Sequence, residues 1–475
     1  MENKRHIYLL DSKKISPETI AVTFAKTSRS PQSFEQIAQE LSDESSAQFH
    51  EKWVVGYGHA SIAEHAVLHI AVENISRLAV ECLESNRLAS YTEKSSRYQV
   101  WDAENFFTPD ELKDSQFSAL YHDTVHMLFQ RYQKAIPVLQ KTIEATKQAQ
   151  GESISEREVH ACCMDVCRYY LPAAATANVG ITINARSLEN ALCKMLSHPL
   201  AEVRQIGSEI KQVAITHLPT LVKYVDEIAY LKQAEERTTQ LAQKLNPSYS
   251  KETDQWCTLV DHDVRFEDHI LNALLYRFDS TSFSHNESSF QKMPQKQQEE
   301  LLDILFGKLG EHDIPLRELE YSWFLFDILM DQGAYFEFKR HRMMTQTVQP
   351  LSPHDGFAIP RLITQAGLEV DFREAMQMAK AAYQQIAQVE RAAASYVIPN
   401  AFNRRVLSAI NLRSALHLIQ LRTAPNAHFA IRRVANRMAE LLREQMHLFT
   451  PYFKPQTDET WQQIEDDYFS TTKIY

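Results

Sequence analysis

The stretch ITINARSLENAL, at residues 181–192, resembles SAINLRSALHLI at residues 408–419. Three pairs coincide at a constant offset of 227 residues: Asn184/Asn411, Arg186/Arg413 and Ser187/Ser414. A second similarity links IYLLDSKKISPETIAVTFAKT (7–27) with CTLVDHDVRFEDHILNALLYR (257–277) at an offset of 250, with Glu18 opposite Asp268. Because both similarities occur in the same order, the chain is predicted to contain two homologous domains.

Each predicted domain mixes strands with helices. AVLHIAVEN (66–74) and YSWFLFDILM (321–330) are apolar enough to be buried strands, whereas most of the remainder has apolar residues at helical spacing. We therefore expect an α+β fold in which a small sheet with several helices is used twice. The polar stretch at 242–256 marks the boundary, so the expected domains are 1–245 and 246–475.

Composition excludes several classes of function. The chain has 475 residues and a formal net charge of -11, which argues against broad binding to nucleic acid or to an anionic membrane. It contains 10 glycines and neither of the common glycine-rich phosphate loops. Its first residues lack the apolar core of a signal peptide, and no apolar run is long enough to span a bilayer. A cytoplasmic protein without a membrane partner is expected.

The cysteines do not predict a metal site. There are 6 of them, and the cluster in HACCMDVC (160–167) has no paired CxxC arrangement. Its spacing is typical of a helix, so buried thiols are favoured over metal ligands. We expect no bound metal.

Two polar segments could carry chemistry. SNRLASYTEKSSRY (85–98) offers a carboxylate, hydroxyls and a guanidinium on one loop, which suits a sugar phosphate. It is equally compatible with a polar turn closed by a Glu93–Arg97 helical pair. RHRMMTQTVQPLSP (340–353) begins with Arg340, His341 and Arg342. This triplet indicates an anion or cofactor site or, on its own merits, a solvated basic turn.

Together the two segments resemble the signature of the flavin-dependent thymidylate synthases. That signature reads R-H-R, two residues, S, one residue, N-E, one residue, S, one residue, R-Y. The first segment keeps the latter part, namely Ser90, Glu93, Ser95, Arg97 and Tyr98, but has Ser85 and Asn86 in place of Arg and His, and Thr92 in place of Asn. The second keeps R-H-R, but Val348, Pro350 and Ser352 replace Glu, Ser and Arg.

The resemblance extends along both halves. GHASIAEH (58–65), CRYYLP (167–172), NARSLEN (184–190) and NLRSALH (411–417) are similar to further segments of that family. Arg168 of the first half is matched by Ser395, and the uracil-facing Arg422 of the second half is matched by Lys194 or Met195. Since the losses are complementary, the resemblance implies a pseudo-dimer with one composite site intact and its mirror site abandoned. Whether the contributing halves meet within one chain or between chains stays open.

The resemblance also implies an activity and assigns roles. The expected reaction is reductive methylation of dUMP, or of a related pyrimidine nucleotide, at C5, with FAD as cofactor and with NADPH and methylenetetrahydrofolate as co-substrates. Arg422 is the expected catalytic residue. The expected substrate contacts are Glu93, Ser95, Ser96, Arg97, Arg168, Glu337 and Arg340. The expected cofactor contacts are His59, Glu93, Asn184, Arg186, Arg340, His341, Arg342, Asn411, Arg413 and His417, although Asn184 and Arg186 are equally interpretable as scaffold remnants.

Two departures keep alternatives open. Glu337 stands where the family usually has Gln, and His417 stands where it usually has Asn. A flavin- or nucleotide-binding homologue with altered chemistry, or a structural or regulatory homologue without activity, is therefore also compatible with the sequence. Because the family commonly forms homotetramers, four equivalent domains imply a homodimer of this chain.

Overall fold

A computed structural model describes residues 8–27, 30–56, 60–245, 255–290, 292–310 and 312–474. In the first half the strands are β1 (Val67–Ser76), β2 (Ala89–Glu93) and β3 (Thr176–Asn184). The helices are α1 (Pro17–Thr27), α2 (Phe34–Glu40), α3 (Asp43–His50), α4 (Arg77–Glu84), α5 (Asp110–Lys113), α6 (Ser118–Ala149), α7 (Glu156–Cys167), α8 (Ala185–Leu196), α9 (Ala201–Ile215) and α10 (Ala229–Leu245).

The second half repeats this pattern with additions. Its strands are β4 (Cys257–His262), β5 (Phe324–Asp331), β6 (Thr345–Val348), β7 (Phe357–Pro360), β8 (Asn403–Ile410) and β9 (Phe469–Ile474). Its helices are α11 (Phe266–Tyr276), α12 (Phe283–Phe290), α13 (Gln295–Leu302), α14 (Gln332–Phe338), α15 (Arg361–Gln365), α16 (Glu369–Ile386), α17 (Arg391–Ala394), α18 (Leu412–Arg422), α19 (Phe429–Gln445) and α20 (Trp461–Tyr468).

Each half is built on an antiparallel sheet with a long central strand. The first sheet has the order β1-β3-β2, and the second has the order β4-β5-β8-β6. Along β1 exposed and buried residues alternate at first, because one face of the sheet packs on helices. The α+β fold used twice and the two predicted strands are thus confirmed. The second sheet has β4 as an additional edge strand, whereas residues 8–11 of the first half form no strand.

The two halves join through backbone hydrogen bonds related by a pseudo-two-fold axis. Pro172 and Pro399, which are 227 residues apart, pair across it in an isolated antiparallel bridge. Around them the amides donate to carbonyls of the other half in matched pairs: Ala173 to Ile398 (3.0 Å) and Asn400 to Leu171 (3.0 Å), then Ala174 to Tyr396 (2.8 Å) and Ala401 to Tyr169 (3.2 Å). Contacts that exchange roles in this way are the mark of a two-fold dimer interface, here formed within one chain.

The register of the N-terminal repeat needs one correction. The Glu18 carboxylate accepts hydrogen bonds from the backbone amides of Thr220 and Leu221. In the second half, the carboxylate that holds the corresponding loop at residues 447–449 is Glu267, not Asp268. The helices α1 and α11 therefore correspond at an offset of 249. The predicted offset of 250 was wrong by one residue for these helices, because it was aligned partly on residues 8–11, which form no strand that could fix their register against β4.

One continuous cluster of buried side chains runs through both halves. The prediction of buried thiols holds for Cys163, Cys167 and Cys257, but Cys162 is exposed and was predicted wrongly, because it lies on the open side of α7. Within the described ranges, no group of three metal-ligating side chains is close enough to hold an ion. No helix among those residues is long and apolar enough to cross a membrane. The polar stretch at 242–256, which was predicted to mark the domain boundary, is described only in part, since residues 246–254 lie outside the described ranges.

Candidate functional site

Two matched helices present the signature segments. Helices α4 and α14 begin at N-caps, Ser76 and Asp331, whose side chains accept the amides of Ala79 and Ala334. The R-H-R triplet follows the end of α14, and the equivalent residues 85–87 follow the end of α4. Because each helix starts at the end of a sheet strand, the two triplets lie at equivalent places in the two halves.

Side chains retained by different halves converge in one cluster. Arg340 of the second half lies 3.6 Å from the Glu93 carboxylate of the first half. Arg168 of the first half lies 4.0 Å from the Glu337 carboxylate of the second half. The complementary residues therefore meet within a single chain, which the sequence left open. We call Glu93, Arg97, Arg168, Glu337, Arg340, His341 and Arg422 the composite cluster.

Glu337 occupies the centre of the cluster. Its Oε2 accepts a hydrogen bond of 2.7 Å from Arg422, whose other terminal nitrogen donates to the Glu337 carbonyl at 3.2 Å. Burial alone would raise the pKa of Glu337, but the charges of Arg168, Arg422, Arg340 and Arg97 outweigh it and lower that pKa. Glu337 is consequently ionised, and its carboxylate lies where an anion would meet these guanidinium groups.

His341 is held as a neutral acceptor. Its Nε2 accepts a hydrogen bond of 2.9 Å from Arg422 Nε, so the proton of the neutral ring is on Nδ1. Burial, reinforced by the Arg422 charge, lowers the pKa of His341 to about 3. The exposed His417 lies beside it, with the ring centroids 5.7 Å apart. Arg422 is thus oriented on two sides, by His341 and by Glu337.

Glu93 is almost completely buried and sits among cations. Its Oε1 is hydrogen-bonded to Arg77, which stacks on Phe336 with the guanidinium carbon 4.0 Å from the ring centroid. Burial opposes ionisation, but Arg77, Lys339 and Arg340 lower the pKa of Glu93. The other oxygen, Oε2, has no hydrogen-bond donor among the residues that the structure describes. It can accept a hydroxyl or N–H from a ligand.

The two arginines of the first half differ in their availability. Arg97 donates to both oxygens of Asp165, at 2.6 and 2.9 Å, and is already paired. Arg168 is buried and donates to the Gly333 carbonyl at 3.2 Å. Its Nε has no acceptor within the described part of the chain. Since an unmet buried N–H is costly, Arg168 is suited to receive an anionic oxygen.

Arg342 has a role that the sequence did not indicate. Its guanidinium crosses to the first half and donates to the carbonyls of Arg87 (3.1 Å) and Ala89. Arg87 reciprocates by donating to the Met344 carbonyl at 3.1 Å. Arg342 and Arg87 are equivalent positions, 255 residues apart, so both halves keep this arginine for a contact between the halves. In the structure Arg342 is therefore a structural link; its predicted cofactor contact stays a prediction.

Other predicted residues have structural partners. Asn184 and Asn411 are the N-caps of α8 and α18, with side chains that accept the amides of Ser187 and Ser414. Arg186 pairs with Glu64, and Arg413 pairs with Glu320 at 2.7 Å. The Ser95 hydroxyl accepts the Arg97 amide, while Ser96 is buried. These contacts explain the repeated N-x-R-S motif without a ligand. His59 lies outside the described residues.

Two residues of the site were not predicted from the sequence. Arg77 holds Glu93, and Asp165 holds Arg97. Asp165 lies on α7, three residues before Arg168, so its closeness in sequence to a predicted site residue could have identified it. Nothing in the spacing of Arg77 indicates that it reaches Glu93.

The mirror position has lost these features. Ser85 and Val348, the counterparts of Arg340 and Glu93, both line a cavity of about 360 Å³. They cannot form the ion pair of the composite cluster. Two buried ion pairs involve this region instead, Lys339–Glu84 (2.8 Å) and Arg404–Glu81 (2.7 Å). The degenerate position has thus been rebuilt with different charges.

The geometry defines a duplicated α+β protein with one arginine-rich cluster between its halves. Two regions, residues 9–220 and 258–446, match the family described as thymidylate synthase complementing protein. The chain therefore belongs to the thymidylate synthase complementing protein family, and it carries two copies of that domain.

Individual relatives are of two lengths. A UPF0159 protein of Chlamydia muridarum is 30% identical over 423 residues, covering 84% of this chain and 79% of the relative. A flavin-dependent thymidylate synthase of Clostridium tetani is 30% identical over 215 residues, covering 44% of this chain and 82% of the relative. The solved UMP/dUMP methylase PolB of Streptomyces cacaoi is 17% identical with a TM-score of 0.33, covering 43% of this chain and 88% of that one.

Proposed function

We propose that the composite cluster is the site of an FAD-dependent methylation of dUMP, or of a closely related pyrimidine nucleotide, at C5. Methylenetetrahydrofolate would supply the one-carbon unit and NADPH the reducing equivalents. The observation that carries the proposal is the meeting of the complementary residues inside one chain: Glu93 lies beside Arg340, and Glu337 connects Arg168 with Arg422. Decay without function would have no reason to preserve matching residues on opposite sides of a single interface.

The charge of the cluster fits a nucleotide monophosphate. The side chains that contact one another are five arginines and three carboxylates: Arg77, Arg97, Arg168, Arg340 and Arg422, with Glu93, Asp165 and Glu337. Their formal sum is two positive charges, which a phosphate of about two negative charges would neutralise. The unmet Nε of Arg168 and the unmet Oε2 of Glu93, judged within the described residues, offer a donor for phosphate and an acceptor for a sugar hydroxyl.

The residues present also fit a flavin. Arg340 is about half exposed, with 47% of its side chain accessible, although its guanidinium lies 3.6 Å from Glu93. It can therefore bind a cofactor phosphate or ring without breaking a buried structure. Neutral His341 and exposed His417 lie next to it in the fold and would contact the same group. When bound, the flavin would relay the one-carbon unit and the reducing equivalents.

Arg422 is the residue proposed to act on the pyrimidine. A guanidinium next to the uracil imide would stabilise the negative charge left when N3 loses its proton, which makes C5 a better nucleophile. His341 fixes its orientation through Arg422 Nε, since the hydrogen bond of 2.9 Å is made to a ring that stays neutral. Glu337 would have to give up its hydrogen bond to Arg422 when the nucleotide enters.

A cysteine nucleophile is not available to replace the flavin route. Cys82 is the cysteine nearest in sequence to the signature segments, and burial raises its pKa to about 12. At neutral pH it is a thiol, and the thiol form is a poor nucleophile. Cys163, Cys167 and Cys257 are buried, and burial also raises the pKa of the more accessible thiols Cys162 and Cys193.

The decisive experiment has two stages. The visible spectrum of the purified chain, and the flavin released on denaturation, show whether FAD is bound; conversion of dUMP to dTMP is then measured with methylenetetrahydrofolate and NADPH. Replacing Arg422 by Ala should abolish turnover, with a loss of about a hundredfold or more, while the thermal unfolding curve stays cooperative. Activity in Arg422→Ala equal to that of the unaltered protein would contradict the proposed role of the cluster.

One observation favours a second candidate, a flavin- or nucleotide-binding protein with altered chemistry. The Glu337 carboxylate already fills the space between Arg168 and Arg422. A chain that binds FAD and dUMP but forms no dTMP would match this candidate, and a chain that binds neither would be a structural or regulatory homologue.

The domain limits and the oligomeric state are further parts of the proposal. We infer that the domains are 1–245 and 246–475 and that two chains associate into a four-domain homodimer, by analogy with a tetramer of single domains. Light scattering of the purified chain, which gives the mass of the assembly directly, tests the homodimer.

A further inference from the structure

A second cleft, of about 650 Å³, opens between the halves beside the composite cluster. Its first wall comes from α6 and α7, and its second wall comes from α15, α19 and the end of α20. Most of the lining is apolar, with a few polar groups. A cleft of this size and character between two domains is typical of a small-molecule site.

Arg432 is the polar group in this wall that lacks a full set of partners. Only 8% of its side chain is exposed, and its terminal nitrogen lies 3.5 Å from Glu459. Its buried Nε has no hydrogen-bond acceptor among the residues that the structure describes. An arginine presents five N–H donors, so a buried one with an unmet N–H next to a cleft is suited to an oxygen of a ligand.

Aromatic rings stand beside this arginine. Phe429 and Tyr468 are stacked with centroids 5.2 Å apart and ring planes within 7°. The guanidinium carbon of Arg432 lies 5.0 Å from the centre of the Tyr468 ring. Tyr98, which is 63% exposed, lies at the same cleft. Phe429 is 7% exposed and also stacks on Tyr169, so a planar ring could pack against Tyr98, Tyr468 and the edge of Phe429 while its acceptor group met Arg432.

The cleft wall carries three acidic side chains, Glu158, Asp165 and Asp467, and three basic ones, Arg97, Lys147 and Arg432; among the acidic ones, Asp467 is exposed to solvent. Asp165 is held by two nitrogens of Arg97, and Glu158 accepts hydrogen bonds from the amide and hydroxyl of Ser155. Arg97 also joins the cleft to the composite cluster, because it lines the cleft and lowers the pKa of Glu337 through its charge.

The pseudo-two-fold axis provides an internal comparison. Helices α9 and α19 begin at Ala201 and Phe429, an offset of 228, at which Arg432 corresponds to Arg204. Arg204 donates to the carbonyls of His198 (2.7 Å) and Pro199 (2.6 Å), so the mirror arginine has acceptors within its own half. The Nε of Arg432 has no acceptor in the described part of the chain, and this difference distinguishes the cleft from its mirror.

We propose that this cleft is a binding site for an aromatic compound that carries an anionic oxygen group, either carboxylate or phosphate. Arg432 would bind the anionic group, and Tyr98, Phe429 and Tyr468 would bind the ring. The site is separate from the nucleotide position in the composite cluster, and it would bind its ligand even if the proposed methylation were absent.

Two probes distinguish the possible sources of the anion. Calorimetry of the full-length chain with p-aminobenzoyl-L-glutamate tests an aromatic carboxylate, and calorimetry with adenosine 2′,5′-bisphosphate tests an aromatic phosphate. We expect one of them to bind. Replacing Arg432 by Met keeps the packing on Tyr468 and should weaken binding by about tenfold or more. Arg437→Met is the matched control, because Arg437 lies on the same helix, pairs with Glu440 and is not part of the cleft wall; it should change binding by less than about twofold.

A measurement on the unaltered protein covers the case in which the variant fails to fold. Cys162 lies in the cleft wall and is exposed, whereas Cys193 lies elsewhere and is partly exposed. The bound probe should slow alkylation of Cys162 by N-ethylmaleimide by about tenfold and leave Cys193 unchanged. Failure of both probes to bind at millimolar concentration, or binding that leaves the alkylation of Cys162 unchanged, would overturn the proposal. A separate titration with dUMP reports on the composite cluster, so the two proposals can fail independently.

Discussion

The replacement of Glu337 by Gln tests how the composite cluster receives an anion. In the ligand-free protein the carboxylate holds Arg422 at 2.7 Å, so an incoming phosphate competes with it. Gln can still accept a hydrogen bond from the charged guanidinium of Arg422, but the substitution removes the negative charge that repels an incoming phosphate. Two unit charges about 4 Å apart interact by about 1 kcal/mol in water and by about 4 kcal/mol at a partly buried site. We therefore expect Glu337→Gln to bind dUMP about tenfold more tightly.

Glu337→Gln should also remove the pH dependence of dUMP binding that Glu337 causes. In the free protein burial opposes ionisation of Glu337, but four arginine neighbours outweigh it and lower the pKa of this carboxyl; they are Arg168, Arg422, Arg340 and Arg97. The other titratable groups nearby are the Glu93 carboxylate and the neutral His341. A bound phosphate would raise that pKa, so binding takes up a proton. Wild-type affinity should then rise as the pH falls, by up to about tenfold per pH unit, relative to the variant.

Calorimetric titration of dUMP into both proteins between about pH 5 and 8 measures this difference. Titration of the phosphate itself affects both proteins equally, so the ratio of the two dissociation constants isolates Glu337. Glu320→Gln is the control, because Glu320 also pairs with an arginine at 2.7 Å but lies outside the cluster. The reasoning is refuted if Glu337→Gln binds dUMP no more tightly than wild type, or if both proteins show the same pH slope.

Three further predictions concern stability and are measured by chemical denaturation. Arg342→Met should lower the free energy of unfolding by about 1–3 kcal/mol, and Arg87→Met by a similar amount, because each arginine makes two hydrogen bonds to the other half; an unchanged midpoint would contradict this linking role. Glu267→Gln should cost about 2–3 kcal/mol because its carboxylate accepts three backbone amides, whereas Glu18→Gln should cost less since Glu18 accepts two; equal costs would argue against this difference. His341 has a pKa lowered to about 3, so the unfolded chain takes up a proton that the folded chain does not as pH falls below about 6.5, and stability should fall by about 1 kcal/mol per pH unit more in wild type than in His341→Asn.

The duplication could be predicted from the sequence because the two halves carry the same motifs in the same order. The repeated asparagines Asn184 and Asn411 fell at equivalent positions, and the structure shows why: both are N-caps of matched helices. Capping is a local property of a few residues, so it leaves a local signature. The exact register of α1 against α11 could not be predicted, because it is defined by the distant backbone amides that Glu18 and Glu267 bind, and no local pattern shows those contacts.

The partners of the site residues were harder to predict than the residues themselves. Arg340 and Glu93 were identified as complementary, yet no pattern showed that they would meet within one chain. Glu337 was recognised as a departure from the family, but its hydrogen bond to Arg422 depends on the placement of α14 against α18. Arg342 looked like a ligand residue and forms an interdomain contact, because a guanidinium can serve either purpose and sequence position does not decide between them.

The two halves that meet at the Pro172–Pro399 bridge belong to one chain, and this covalent link makes them a permanent pair. In a dimer of separate chains, dilution would separate the partners and every substitution would appear in both sites. Here the tether keeps each half at a high effective concentration next to the other, so the composite cluster persists at any protein concentration. A substitution in one half also leaves the equivalent position in the other half unchanged. Each half could therefore discard whatever its neighbour continued to supply, as an asymmetric heterodimer can, while needing one gene product and no mechanism for choosing the correct partner.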